Sequence, residues 1–173
     1  WRLEKALGGG GSMYDIGIYG LNTSLMMLDG DRPVSVTATY STPEGDPRFT
    51  EVEGGIDYRI RMASGFNVAG SSSYCWSPYL SRQRYFGSEG SIEMNPATTY
   101  YDNRIRFEKA GDAPREYVAG NAIDQFAAQL DGFSQAARTG EAHRTPGEMG
   151  LRDIRLIEAM YRSADAGGAV VEL

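Results

Sequence analysis

The spacing of apolar residues changes period twice along this chain, and those two changes restrict the folds open to it. From Ser12 to Leu28, the residues Met13, Ile16, Gly20, Leu21, Leu25 and Leu28 recur mainly at steps of three and four. That spacing predicts a helix with Ser12 as its N-cap and Asp15 three residues on. Gly17 and Gly20 each cost such a helix about 1 kcal/mol relative to Ala, so both are read as points of close approach by a backbone or a ligand. Beyond Asp29 to Pro33 the period becomes two: Val34, Val36, Ala38 and Tyr40 alternate with Ser35, Thr37 and Thr39. Ile56, Tyr58, Ile60 and Met62 repeat the pattern, and Ala63-Ser64-Gly65 turns them into a partner strand over Phe66 to Tyr74. Further strands are expected at Gln83 to Phe86, Ser91 to Met94 and Asn103 to Lys109, in an antiparallel meander.

The period then returns to that of a helix. Ile123, Phe126, Ala127, Leu130, Phe133 and Ala137 predict a helix ending near Gly140. Thr145-Pro146-Gly147-Glu148 has the form of a capping box opening a last helix, in which Ile154, Ile157, Met160, Tyr161 and Ala164 point inward. Gly167-Gly168 ends it ahead of a short strand over Ala169 to Leu173. A helix, then many strands, then two helices is an α+β order. With 173 residues, 41% of them hydrophobic, residues 12–173 are expected to form a single domain, preceded by a leading segment, 1–11, that carries the glycine run.

Charge and composition narrow the partners. A net charge of −6 and a pI near 4.8 oppose a phosphate-binding surface, so nucleic acid is not expected. Mean hydropathy is −0.41, and no apolar run approaches the roughly 20 residues of a membrane-spanning helix, so no membrane partner is expected. One cysteine, Cys75, and one histidine, His143, leave no metal cluster in prospect and no internal disulfide. The cysteine count leaves the compartment open, with the cytoplasm as the expectation and the periplasm as the alternative. The chain begins at Trp1 without a leader and reads as a fragment or a processed chain. Gly8 to Ser12 has the composition of a flexible engineered linker.

Few side-chain constellations suggest chemistry. No phosphate-cradling glycine motif is present, and His143 reads as a surface loop residue. Glu51 and Glu53 would share one strand face, and an exposed strand tip is expected there. Arg59/Arg61, Arg82/Arg84 and Arg104/Arg106 sit at strand period with Asp57, Glu93 and Glu108 interleaved, which suits either a solvated sheet surface or a polar subunit interface. Asp15 and Tyr19, one helical turn apart, form the most informative pair. A carboxylate and a phenol on one face can handle a substrate hydroxyl; alternatively, Asp15 offsets the helix dipole while Tyr19 packs in the core. A phenol ordinarily titrates near pH 10, so proton transfer at neutral pH calls for a nearby cation. No lysine in this helix supplies one.

Trp1-Arg2-Leu3, Leu7-Gly8-Gly9-Gly10 and Met13 to Asn22 together resemble the glucose-fructose oxidoreductase and inositol dehydrogenase family at the start of its C-terminal domain. The resemblance continues through Asn95 to Tyr101, Gln125 to Leu130 and Thr145 to Leu151, and so covers essentially the whole chain; in this light the glycines look native. It implies a C-terminal α+β domain with a large open, mainly antiparallel sheet and helices packed on one face, without the N-terminal Rossmann domain. It also implies a sugar or polyol substrate, NAD or NADP in the intact enzyme with none bound to this chain alone, and a homo-oligomer formed through the sheet. Asp15 and Tyr19 match the family's Asp-x-Gly-x-Tyr motif. Tyr19 would then exchange the substrate hydroxyl proton, Asp15 would orient the sugar, and Arg2 would lie near the cofactor. The lysine that would lower the phenol's pKa belongs to the absent half. The alternative is a stand-alone, non-catalytic module that uses the same sheet for self-association or ligand capture.

Overall fold

In the computed structural model, the described residues form eight strands, divided between two four-stranded antiparallel sheets, and four α-helices. Residues 1–28 and 30–173 are described; Asp29, in the turn expected after the first long helix, lies outside them. The α+β class expected from the element order is present. Internal contacts group residues 1–76 with 147–173 into one compact unit and residues 77–146 into a second.

The first unit contains α1 (Lys5–Gly8), a π-helical turn at Met13–Gly17 that runs directly into α2 (Ile18–Met27), and strands β1 (Pro33–Tyr40), β2 (Gly55–Met62) and β3 (Asn67–Ser73). Helix α4 (Gly147–Asp165) and strand β8 (Val171–Glu172) return to it, giving the sheet order β3-β2-β1-β8. Alternation does what the sequence predicts: Ile56, Tyr58, Ile60 and Met62 are buried while Asp57, Arg59 and Arg61 between them are exposed. Gly65 makes the β2–β3 turn at a φ of +94°, a conformation that disfavours a side chain. Leu21 and Leu25 from α2, together with Leu156, Ile157 and Met160 from α4, close the core over this sheet. Each such side chain contributes about 1.5–3 kcal/mol by burial.

Three local expectations are corrected. The segment after Ser12 is not α-helical from its start, because its first turn is π-helical. Ser12 is not an N-cap: its backbone is already helical and its hydroxyl donates to the Ser72 carbonyl at 3.1 Å, while the Ser72 hydroxyl donates back to the Ser12 carbonyl at 2.9 Å. Helix α4 begins at Gly147, one residue after Pro146, and the Thr145 hydroxyl faces His143 Nδ1 at 3.3 Å.

The second unit is the meander β4 (Gln83–Phe86), β5 (Gly90–Met94), β6 (Asn103–Lys109) and β7 (Arg115–Ala119), followed by α3 (Ala122–Thr139). Asn121 caps α3 by accepting from the Ile123 N–H, and Gly140 ends it at a φ of +75°. Strand β7 is not foreseen in the sequence, because all five of its residues are exposed and carry no alternating apolar pattern. The three Arg-x-Arg pairs do not share one face: Arg59 and Arg61 lie on β2, whereas Arg84, Arg104 and Arg106 lie in the other sheet. There Arg82 pairs with Glu93 at 2.9 Å, Arg84 with Glu108 at 3.4 Å, and Arg106 with Glu108 at 2.8 Å and Glu116 at 3.0 Å. The Arg106 guanidinium holds the Glu108 carboxyl below its ordinary value.

Candidate active site

The glycine run is built into the first unit. A Cβ on Gly10 would fall onto the Tyr161 hydroxyl and the Tyr14 ring, and one on Gly11 would fall onto the Glu53 carbonyl oxygen. Only a chain without side chains at these two positions can bring the turn this close to the loop before β2. The linker-like composition therefore has a packing reason. Gly17 has another, because its Cβ would meet Met13 Sδ at 2.6 Å and Ser72 Cβ at 2.9 Å, so the helix lies directly on β3. Gly20 departs from expectation: no described atom lies within 4 Å of a Cβ placed there. That flank of the helix, next to Tyr19, is open.

Asp15 sits in the π-helical turn and is held from two sides. Arg2 Nε donates to its Oδ1 at 3.2 Å, and the Tyr74 hydroxyl donates to its Oδ2 at 3.0 Å. The Arg2 guanidinium also lies 4.5 Å from the centre of the Trp1 ring, an arrangement that favours the cation over the ring face. Burial, reinforced by the hydrogen bond to Asp15, pushes the Tyr74 phenol well above its ordinary value, so Tyr74 remains a donor. Tyr19 follows one turn later and is 56% exposed. It is not a core residue, and Asp15 is engaged by side chains rather than simply facing a helix end. The two residues stand on α2 and the turn that opens it, carried on a face accessible from outside.

Buried carboxylates hold the helix at its start and at mid-length. In the middle of α2, Asn22 Nδ2 donates to Asp153 Oδ2 of α4 at 2.5 Å, and Asp153 is 1% exposed. At its start, Gly11 N donates to Glu53 Oε2 at 2.8 Å and Met13 N to Glu53 Oε1 at 3.0 Å. This overturns the expectation of an exposed strand tip: Glu51 is exposed, but Glu53 is buried and lies in the loop ahead of β2. Sequence reasoning misses Glu53, Tyr74 and Asp153 because their partners lie 40 to 131 residues away. The only signal that could have found Glu53 is the glycine run itself, since side-chain-free positions imply something packed against them.

Among the described residues no group of three or more metal-ligating side chains occurs, and no helix is long and apolar enough to cross a membrane.

Residues 1–93 match the model of the GFO/IDH/MocA C-terminal domain. Over 171 residues the chain is 29% identical to D-xylose 1-dehydrogenase (NADP(+)) of Haloarcula marismortui, covering 98% of this chain and 46% of that protein. The crystal structure of aldose-aldose oxidoreductase from Caulobacter crescentus, complexed with glycerol, matches with a TM-score of 0.89 at 43% identity, covering 100% of this chain and 50% of that one. An inositol dehydrogenase homolog from Azotobacter vinelandii, complexed with NAD+, shares the fold at 21% identity, with a TM-score of 0.82 over 100% of this chain and 51% of its own. The chain thus spans about half the length of the relatives it matches.

Proposed function

We propose, from the premise that this chain belongs to the GFO/IDH/MocA C-terminal domain family, that it is the substrate-binding half of an NAD(P)-dependent sugar or polyol oxidoreductase. The observation that carries this reading is the pairing of an exposed phenol, Tyr19, with a clamped carboxylate, Asp15, on one helix beside an open flank. A nicotinamide, held by a Rossmann domain joined to this chain, would supply the hydride acceptor or donor. In the oxidising direction Tyr19, as the phenolate that a lysine of the joined domain would stabilise, would take the proton of the substrate hydroxyl while the hydride of that carbon leaves for the nicotinamide; in the reducing direction the phenol would return the proton to the forming alkoxide. Asp15, which Arg2 and Tyr74 prevent from rotating, accepts a hydrogen bond from a neighbouring sugar hydroxyl and fixes which carbon faces the hydride path. Arg2, which donates to this carboxylate, lies toward the cofactor in this reading.

The names of the relatives support the substrate class: a xylose dehydrogenase, an aldose-aldose oxidoreductase and an inositol dehydrogenase homolog all concern sugars or polyols. Self-association through sheet surface belongs to the same proposal. It is supported by the exposed Phe86, Tyr117 and Val118 of the second sheet, apolar side chains that gain by leaving water. In the full-length protein, Tyr19→Phe is expected to lower kcat by about 100- to 10,000-fold while the Kd for NAD(P)H, read by nicotinamide fluorescence, stays unchanged. Unaltered turnover would remove Tyr19 from the reaction.

A further inference from the structure

The helix that carries Asp15 and Tyr19 lacks a cap of its own, and the group that takes that role comes from elsewhere in the fold. Ser12, in the place where a capping side chain would stand, has its hydroxyl engaged with Ser72. The free N–H groups of the first turn instead meet Glu53, which is 7% exposed. Three donors converge on its carboxylate: Gly11 N at 2.8 Å, Met13 N at 3.0 Å and the Tyr161 hydroxyl at 2.9 Å. The Glu53 main chain adds a fourth link by accepting from Ser12 N at 3.4 Å. A buried carboxylate is tolerated only when its lone pairs are satisfied, and the positive end of a helix is a favourable place for it. Burial and the charge of Glu53 raise the Tyr161 phenol far above its ordinary value, so Tyr161 stays protonated and keeps donating.

We propose that Glu53 is the positioning residue of the catalytic face: its carboxylate, held by Tyr161, fixes the π-helical turn and thereby sets where Asp15 and Tyr19 stand. Its effect on turnover rests on the function proposed above; its effect on the turn does not. Met13 is two residues from Asp15 and six from Tyr19, so a change in the grip on Met13 displaces both functional groups together. Gly11 is part of the same device, since any Cβ there would push the turn off the Glu53 carbonyl.

Glu53→Gln keeps the size of the side chain but turns an NH2 toward one of two backbone N–H donors. In the full-length protein, kcat is expected to fall about ten- to a hundredfold, the scale for a displaced reacting group, with KM for NAD(P) unchanged. Hydrogen exchange of residues 10–20 is expected to speed up about tenfold while β2 and β3 keep their rates. If Glu53→Gln fails to fold, Tyr161→Phe decides the matter, with about a threefold fall in kcat and faster exchange in the same segment. Unchanged exchange at Gly11 and Met13 would overturn the positioning role. So would faster exchange there with full turnover, provided Tyr19→Phe is inactive. A fully active Tyr19→Phe enzyme would instead contradict the catalytic reading and leave the exchange result to decide what Glu53 holds.

Discussion

The two units of this chain are built on different physics. Residues 1–76 with 147–173 contain almost the whole buried apolar set, from Met13 to Ala164; among the described residues only Ala97 lies in the other unit. Residues 77–146 present a meander laced with Arg–Glu pairs and a helix, α3, whose Ile123, Phe126, Leu130 and Phe133 are all largely exposed. A group that must hold a reacting atom within a fraction of an ångström belongs on a densely packed support, and Asp15 and Tyr19 stand on the first unit. The second unit instead presents exposed apolar side chains and charged pairs.

The contrast can be broken most sharply by core truncation. Ile60→Ala in the first unit is expected to cost about 2–5 kcal/mol in urea unfolding, whereas Ile92→Ala, half-buried in β5, should cost less than half as much. Equal losses would mean that the second unit has a core of its own strength. Alkaline titration comes next. Burial raises the phenols of Tyr40, Tyr74 and Tyr161, all in the first unit, followed by the hydrogen bonds of Tyr40 to Asp165 and of Tyr74 to Asp15 and, for Tyr161, by the charge of Glu53. Each is harder to ionise folded than unfolded, so its stabilising contribution is complete below about pH 10 and is lost as the pH climbs through the raised values. Tyrosinate absorbance should therefore show these phenols titrating late and together with unfolding of the first unit. A smaller effect, about 1 kcal/mol, is expected when Tyr74→Phe removes one of the two donors to Asp15; it should appear as a several-fold rise in KM for the sugar. The smallest belongs to the ladder of the second sheet, where Arg106→Ala should change stability by less than about 1 kcal/mol and less still in high salt.

Much of this architecture can be read from residue spacing. β2, β4, β6 and α3 match their expected spans closely because alternation or helical periodicity marks them from end to end. β7 escapes because Arg115-Glu116-Tyr117-Val118-Ala119 buries nothing, and a strand held by its backbone ladder and an exposed Arg106–Glu116 pair leaves no apolar signature. Asp15 and Tyr19 are visible as a pair because one helical turn separates them. Their supports are not, because a contact between Glu53 and Gly11 or between Asp153 and Asn22 is created by the closure of the fold and has no local pattern. Gly10 and Gly11 are the exception in kind: the absence of side chains in the sequence records the presence of a neighbour in space.

The most direct test compares one variant from each unit in the same reaction. In the full-length protein, single-turnover hydride transfer to or from the nicotinamide, followed by its absorbance, should slow by about a hundredfold or more in Tyr19→Phe and proceed at the wild-type rate in Arg106→Ala. A Tyr19→Phe enzyme that transfers hydride as fast as wild type, with bound cofactor and substrate confirmed, would contradict the assignment of proton transfer to this helix.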